Sequence, residues 1–198
     1  RLQDDLPAFP HSIALSRIEQ ELGAPADQLF EEFPSAPIAA ASLGQVYKAR
    51  LEGQSWVAVK VQRPNLTFIL RRDLVLIRAL GVLTAPFLPL NLGFGLGSII
   101  DEFGRSLFEE IDYEQEADNA ERFATLFVDN PAVYVPRVER MLSSTRVLTT
   151  TWIEGSKMRN SQELIDQRLD PAALIRTGVI CGLQQLLEFG YFHADPHP

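Results

Sequence analysis

IAAASLGQVYKARLEGQSWVAVK, residues 38 to 60, is the stretch whose reading decides the fold. Apolar positions alternate with polar ones on either side of Glu52-Gly53-Gln54-Ser55, which predicts strands joined by a hairpin turn. A tight loop, Ala39-Ala40-Ala41-Ser42-Leu43-Gly44, links a first strand to a second. The third strand ends in Val57-Ala58-Val59-Lys60. Ala39, Ala41, Gly44 and Val46 fall on the four fixed places of the phosphate-loop pattern G-x-G-x-x-G-x-V, with alanine at two of its three glycines. Lys60 takes the place of the lysine that accompanies such loops.

The rest of the chain bounds what that loop can belong to. With 198 residues, 46% of them apolar and 22% charged, the sequence has globular composition and enough apolar side chains for a sizeable core. The net charge of −8 argues against a general nucleic-acid binder, which needs a basic surface. The single cysteine, Cys181, cannot form an internal disulfide and lies in an apolar helical run, which predicts a buried, reduced side chain. No basic segment followed by an apolar one opens the chain, so no signal peptide is legible. The sequence starts at Arg1 rather than Met and stops at Pro198, and it reads as a fragment.

Residues 1–34 read as a helical extension. A loop leads to a helix capped by Ser12, with Leu15, Ile18 and Leu22 on one face and Gly23 as its stop. A second helix spans about Ala26 to Phe33. Residues 65–85 have helical apolar spacing. From Ala79 to Ile100 no charge occurs over 22 residues, long enough to span a membrane. Six proline and glycine residues interrupt that run, which favours a buried or surface-hugging linker over a loop that touches a bilayer. One long helix is expected from Ser98 to Phe127, then strands near Tyr134–Val138 and Arg146–Ile153. Asp170-Pro171 marks a strong helix start, and that helix ends at Gly190. The fold class is therefore α+β. Residues 35–154 form a small lobe with a five-stranded antiparallel sheet and helical insertions, and residues 155–198 begin a helical large lobe.

A terminal lysine on an alternating strand is ordinarily just solvent-facing. A lysine that grips phosphates needs a carboxylate to hold it, and the long helix offers many. Seven acids and one base, Arg122, lie between Glu109 and Arg122. Such a run is ordinarily a solvated face, although crowded like charges repel and call for a basic group or a metal ion nearby. Glu109, Asp112 and Glu116 stand at i, i+3 and i+7 of this helix and are expected to share a face. At the end of the chain, His193 and Asp195 match the first and third places of the kinase catalytic loop H-R-D-x-x-x-x-N. In that reading Asp195 orients or deprotonates an acceptor hydroxyl. A rival reading makes His193, Asp195 and His197 metal ligands of a hydrolase.

Taken together, these residues resemble the UbiB-like (AarF-type) family of atypical kinases. The likeness rests on the alanine loop, on Val57-Ala58-Val59-Lys60-Val61-Gln62-Arg63-Pro64, and on Glu110-Ile111-Asp112-Tyr113 with Glu116, Ala117, Asn119, Arg122 and Phe123. It is completed by His193-Ala194-Asp195-Pro196-His197-Pro198. The resemblance implies a protein-kinase-like fold that binds ATP or ADP with Mg2+. It implies that Ala39, Ala40, Ala41, Ser42, Gly44, Val46 and Ala58 line the nucleotide, that Lys60 contacts its phosphates and pairs with Glu116, and that Asp195 is catalytic. Glu110 and Asp112 would form an E-x-D motif near the metal-nucleotide site. It further implies a K-x-G-Q segment upstream of Arg1, and a metal-binding asparagine and a D-F-G aspartate past Pro198. Without those the chain alone is expected to be inactive.

Members of this family support ubiquinone or other prenylquinone metabolism. That implies a prenylquinone or isoprenoid lipid and a membrane surface as partners, and an intracellular place peripheral to a membrane, such as the bacterial inner membrane or an organelle. The alternative function is a pseudokinase-like scaffold that binds lipid or a partner without transferring phosphate.

Overall fold

The structure is a computed structural model that describes residues 7–53, 55–84, 95–155, 161–166 and 169–192. The chain forms two compact units, Arg1–Ala120 with Pro136–Trp152, and Glu121–Val135 with Ile153–Pro198.

The first unit is built on an antiparallel sheet in the order β1 (Ala39–Ala40), β2 (Gly44–Arg50), β3 (Trp56–Gln62) and β4 (Val147–Thr151). Gly53 makes the β2–β3 turn at φ 88°, a left-handed conformation that suits glycine. Alternation sorts the side chains by face. Gln45, Tyr47 and Ala49 of β2 and Val57, Val59 and Val61 of β3 are all buried. They pack with Phe9, Ala14, Ile18 and Phe30 of the helical extension. Burying a side chain the size of Ile18 contributes roughly 1.5–3 kcal/mol, so helix α1 (His11–Leu22) is part of the sheet's core. The opposite face, with Leu148 of β4, meets Tyr113 and Ala117.

The sheet has four strands among the described residues, not five. The expected strand near Tyr134–Val138 is reduced to a single bridge between Val138 and Thr150. Pro136 has no N–H for a ladder, and such a segment cannot pair along its length. α1 begins at His11 behind Pro10 with no side-chain cap, one residue before the expected cap at Ser12. It ends as expected at Gly23, φ 78°. α2 is shorter than expected, Ala26–Leu29.

The apolar run begins and ends in helices. Its first residues complete α3 (Leu66–Thr84) and its last open α4 (Leu96–Glu110), with residues 85–94 outside the described part. No helix among the described residues is long and apolar enough to cross a membrane. The long acidic helix is also two helices. α4 stops at Glu110, and α5 (Tyr113–Leu126) starts after a break at Ile111-Asp112. Glu109 and Glu116 therefore do not share one continuous helix.

In the second unit, α6 (Ser161–Asp166) precedes α7 (Pro171–Leu183), which passes into a short π-helical turn over Gln184–Glu188. Asp170 caps α7 as expected, accepting the Ala172 N–H at 2.9 Å. Gly190 follows at φ 59°. Cys181 is half-buried rather than buried, and Gln185 Nε2 approaches its sulfur at 3.2 Å.

Candidate functional site

Lys60 lies in the middle of the sheet, opposite Val46 on one neighbouring strand and Leu148 on the other. These three residues share a face, and it is the face that α5 covers through Tyr113 and Ala117. Glu116 is on the first turn of α5. Lys60 Nζ donates to both of its carboxylate oxygens, at 2.9 and 2.7 Å, across 56 residues of sequence. The same Nζ lies 4.6 Å from the centre of the Tyr113 ring. The lysine and glutamate side chains are 32% and 41% exposed. Ion pairs that wet contribute about 0–1 kcal/mol to stability. The pair therefore does little to hold the fold, and what it does is fix where a primary ammonium stands.

Three contacts set α5 in place. Asp112 Oδ1 accepts the Glu114 N–H at 3.0 Å and so caps the helix. Buried Gln62, at the end of β3, donates from Nε2 to the Ile111 carbonyl at 2.6 Å, which ties the α4–α5 break to the strand of Lys60. The Tyr113 N–H donates to the Thr145 carbonyl at 3.1 Å. Tyr113 is fully buried, and its hydroxyl has no hydrogen-bond partner among the described residues. Burial, and then the negative charge of Glu116, push the Tyr113 phenol well above its ordinary range.

The alanine loop sits beside this pair. Ala39 and Ala40 form β1 and pair with Val46 and Gln45. The Ala41 N–H closes the turn onto the Gly44 carbonyl at 2.8 Å. The only described non-glycine residue with positive φ is Asn65, so the loop asks no alanine to take a left-handed conformation. Gly44 is needed for space instead. A Cβ there would lie 2.6 Å from the Val61 carbonyl oxygen and 2.7 Å from the Tyr113 hydroxyl. The Ser42 and Leu43 N–H groups meet no acceptor among the described residues, which leaves backbone donors of the kind that bind phosphate oxygens.

Of the residues singled out in the sequence, the structure brings together Lys60 and Glu116, with Val46 opposite the lysine and Ala58 two positions before it. Ala39, Ala40, Ala41, Ser42 and Gly44 form the adjoining loop. Glu110 is exposed at the end of α4. Asp195, His193 and His197 lie outside the described residues. Among the described residues no group of three or more histidine, cysteine or acidic side chains could hold a metal ion. The sequence reading assigned no role to Tyr113, Gln62 or Arg63. Their signal was the polar pair Gln62-Arg63 at the end of the third strand, and a tyrosine at the start of an acidic helix.

The ABC1 atypical kinase-like domain family matches residues 1–198. An uncharacterized Synechocystis protein is 50% identical over 198 residues, covering 100% of this chain and 35% of its own length. The Arabidopsis thaliana protein named ACTIVITY OF BC1 COMPLEX KINASE 1, chloroplastic, is 46% identical, with 100% of this chain and 29% of that protein covered. The chain thus spans about a third of the curated relatives it matches. A solved structure, the Rv3197–erythromycin complex from Mycobacterium tuberculosis, is 35% identical with a TM-score of 0.64, over 77% of this chain and 38% of that one. The helix-and-sheet architecture is accordingly kinase-like, and the chain belongs to the ABC1 atypical kinase-like family.

Proposed function

We propose that this chain is the nucleotide-binding part of an atypical kinase or ATPase, with ATP or ADP held by the alanine loop and Lys60. The observation that carries the reading is the two-pronged Lys60–Glu116 contact, which aims an ammonium beside a loop with free N–H groups. Phosphates need what this arrangement offers, a fixed positive charge and backbone donors. Bound ATP would supply the phosphoryl group. Glu116 orients Lys60, Tyr113 supports the lysine from below, and Val46 and Ala58 give the sheet face an apolar floor for the base or ribose. Asp195 would orient the acceptor hydroxyl in the full-length protein. Among the described residues no group of three metal ligands converges, so a Mg2+ ion here would be held by the nucleotide phosphates together with one or two carboxylates.

The test is Lys60→Met in the full-length protein. It is expected to abolish nucleotide binding measured by titration calorimetry, while the unfolding midpoint moves little because the pair is partly exposed. Unchanged nucleotide affinity would end this assignment.

The proposed setting is ubiquinone or other prenylquinone metabolism, inside the cell and peripheral to a membrane. Two Arabidopsis relatives carry the word chloroplastic in their names. The surface of α3 supports a lipid or membrane partner, since Phe68, Val75, Leu80 and Leu83 are exposed there. That same surface favours a second reading, a lipid- or partner-binding scaffold of pseudokinase type that binds nucleotide without transferring phosphate.

A further inference from the structure

Arg63 makes more contacts with the loop than any role in phosphate binding requires. It follows β3 directly and precedes Pro64, which biases its backbone toward an extended conformation and keeps it in line with the strand. Its N–H donates to the Leu43 carbonyl at 2.9 Å. Its side chain then forks. Nε donates to the Ala41 carbonyl at 2.9 Å and a terminal nitrogen donates to the Pro7 carbonyl at 3.0 Å. The guanidinium carbon lies 5.9 Å from the centre of the Phe9 ring. Phe9 is itself registered on the sheet, because buried Gln45 accepts its N–H at 3.1 Å and approaches its carbonyl at 3.5 Å.

We propose that Arg63 is a positioning residue for the alanine loop, clamping it to the amino-terminal extension so that the loop's N–H groups, rather than its carbonyls, are left for phosphate. A carbonyl oxygen repels a phosphate oxygen and an N–H attracts it. Arg63 occupies the Ala41 and Leu43 carbonyls, whereas the Ser42 and Leu43 N–H groups keep no acceptor among the described residues. A guanidinium suits the task because its planar fork spans two acceptors at a fixed angle, which a lysine ammonium does not. The proposal rests on the reading of this loop as a phosphate site. It adds that residues 7–9 are part of the loop's support, so that nucleotide affinity depends on a segment far from it in sequence.

The test compares Arg63→Ala, Arg63→Lys and Lys60→Met with the unaltered full-length protein. Calorimetry gives the affinities for ADP and for adenosine, which lacks phosphate, and hydrogen exchange followed by mass spectrometry reads residues 39–46. Losing a charge-assisted contact of this kind should weaken ADP by about tenfold in Arg63→Ala and leave adenosine within about twofold. Exchange should quicken across the loop and stay unchanged in β3, with Arg63→Lys intermediate in both. Equal losses for ADP and adenosine, or an unaltered loop, overturn the proposal. If Lys60→Met leaves ADP binding intact, the nucleotide reading falls and takes the phosphate half of this proposal with it. If Lys60→Met abolishes binding and Arg63→Ala does not weaken it, this inference alone fails.

Discussion

Replacing Gly44 with alanine would drive a methyl group into the Val61 carbonyl and the Tyr113 hydroxyl. A backbone oxygen cannot step aside, so β2 must shift and carry the loop with it. Gly44→Ala is expected to destabilise by about 1–3 kcal/mol, the usual cost of overpacking. Adding Tyr113→Phe removes one of the two obstructing atoms and should recover part of that loss in urea denaturation. A double variant no more stable than Gly44→Ala would show that the Val61 carbonyl alone sets the cost. Tyr113→Phe by itself removes a buried hydroxyl with no described partner and keeps the ring under Lys60. Burial holds the folded phenol above its ordinary value of about 10, so this residue stabilises fully at neutral pH and its contribution is lost as pH rises above about 10. The unaltered protein should therefore lose thermal stability between about pH 10 and 12 more steeply than Tyr113→Phe. Parallel alkaline profiles would contradict the burial argument.

Asp112 shows at the level of elements how a motif residue can have a structural duty. It caps α5, whose first turn carries Glu116, so the cap fixes the register of the glutamate that holds Lys60. Asp112→Ala should cost about 1 kcal/mol of stability, while Asp112→Asn, an equally good cap, should cost little. Chemical denaturation of both variants checks this, and equal destabilisation would mean that the charge, not the cap, matters. The sheet was legible because alternation is a local signal, whereas the pairing of Lys60 with Glu116, 56 residues away, was legible only through the family resemblance. The break between α4 and α5 was not. Its cause is the Gln62 amide reaching the Ile111 carbonyl from 49 residues away, a tertiary contact that no helical periodicity reports. The strand at Tyr134–Val138 was misread for the opposite reason, since the apolar pattern was visible but Pro136 removes the N–H that a ladder needs. The spacing of Ala39, Ala41 and Gly44 pointed to the loop correctly, yet only the backbone shows that alanine fits there without strain and that Gly44 does not yield.

On the scale of the whole molecule the open question is what meets α3. Phe68 is 68% exposed and Leu83 is 69% exposed, and the helix carries Arg71, Arg72 and Arg78 on a protein whose net charge is −8. Arg72 and Arg78 pair with Asp73 and Asp101, so Arg71 is the arginine offered to an anionic bilayer, near which an arginine adds about 1 kcal/mol to the apolar contribution. The competing account is burial against further chain, since this sequence spans 35% and 29% of two of its relatives. Magnitudes separate the two. If the face is buried in the full-length protein, replacing Phe68 and Leu83 together by serine forfeits roughly 1.5–3 kcal/mol per side chain, and stability falls by several kcal/mol. If the face meets lipid, the same variant keeps its unfolding free energy and loses flotation with liposomes containing anionic phospholipid. We expect the second result, with flotation also falling as salt rises, because the arginine contribution is screened within a Debye length of about 10 Å at 0.1 M. Undiminished flotation together with a large loss of stability would remove the membrane from this reading and leave α3 as an internal packing surface.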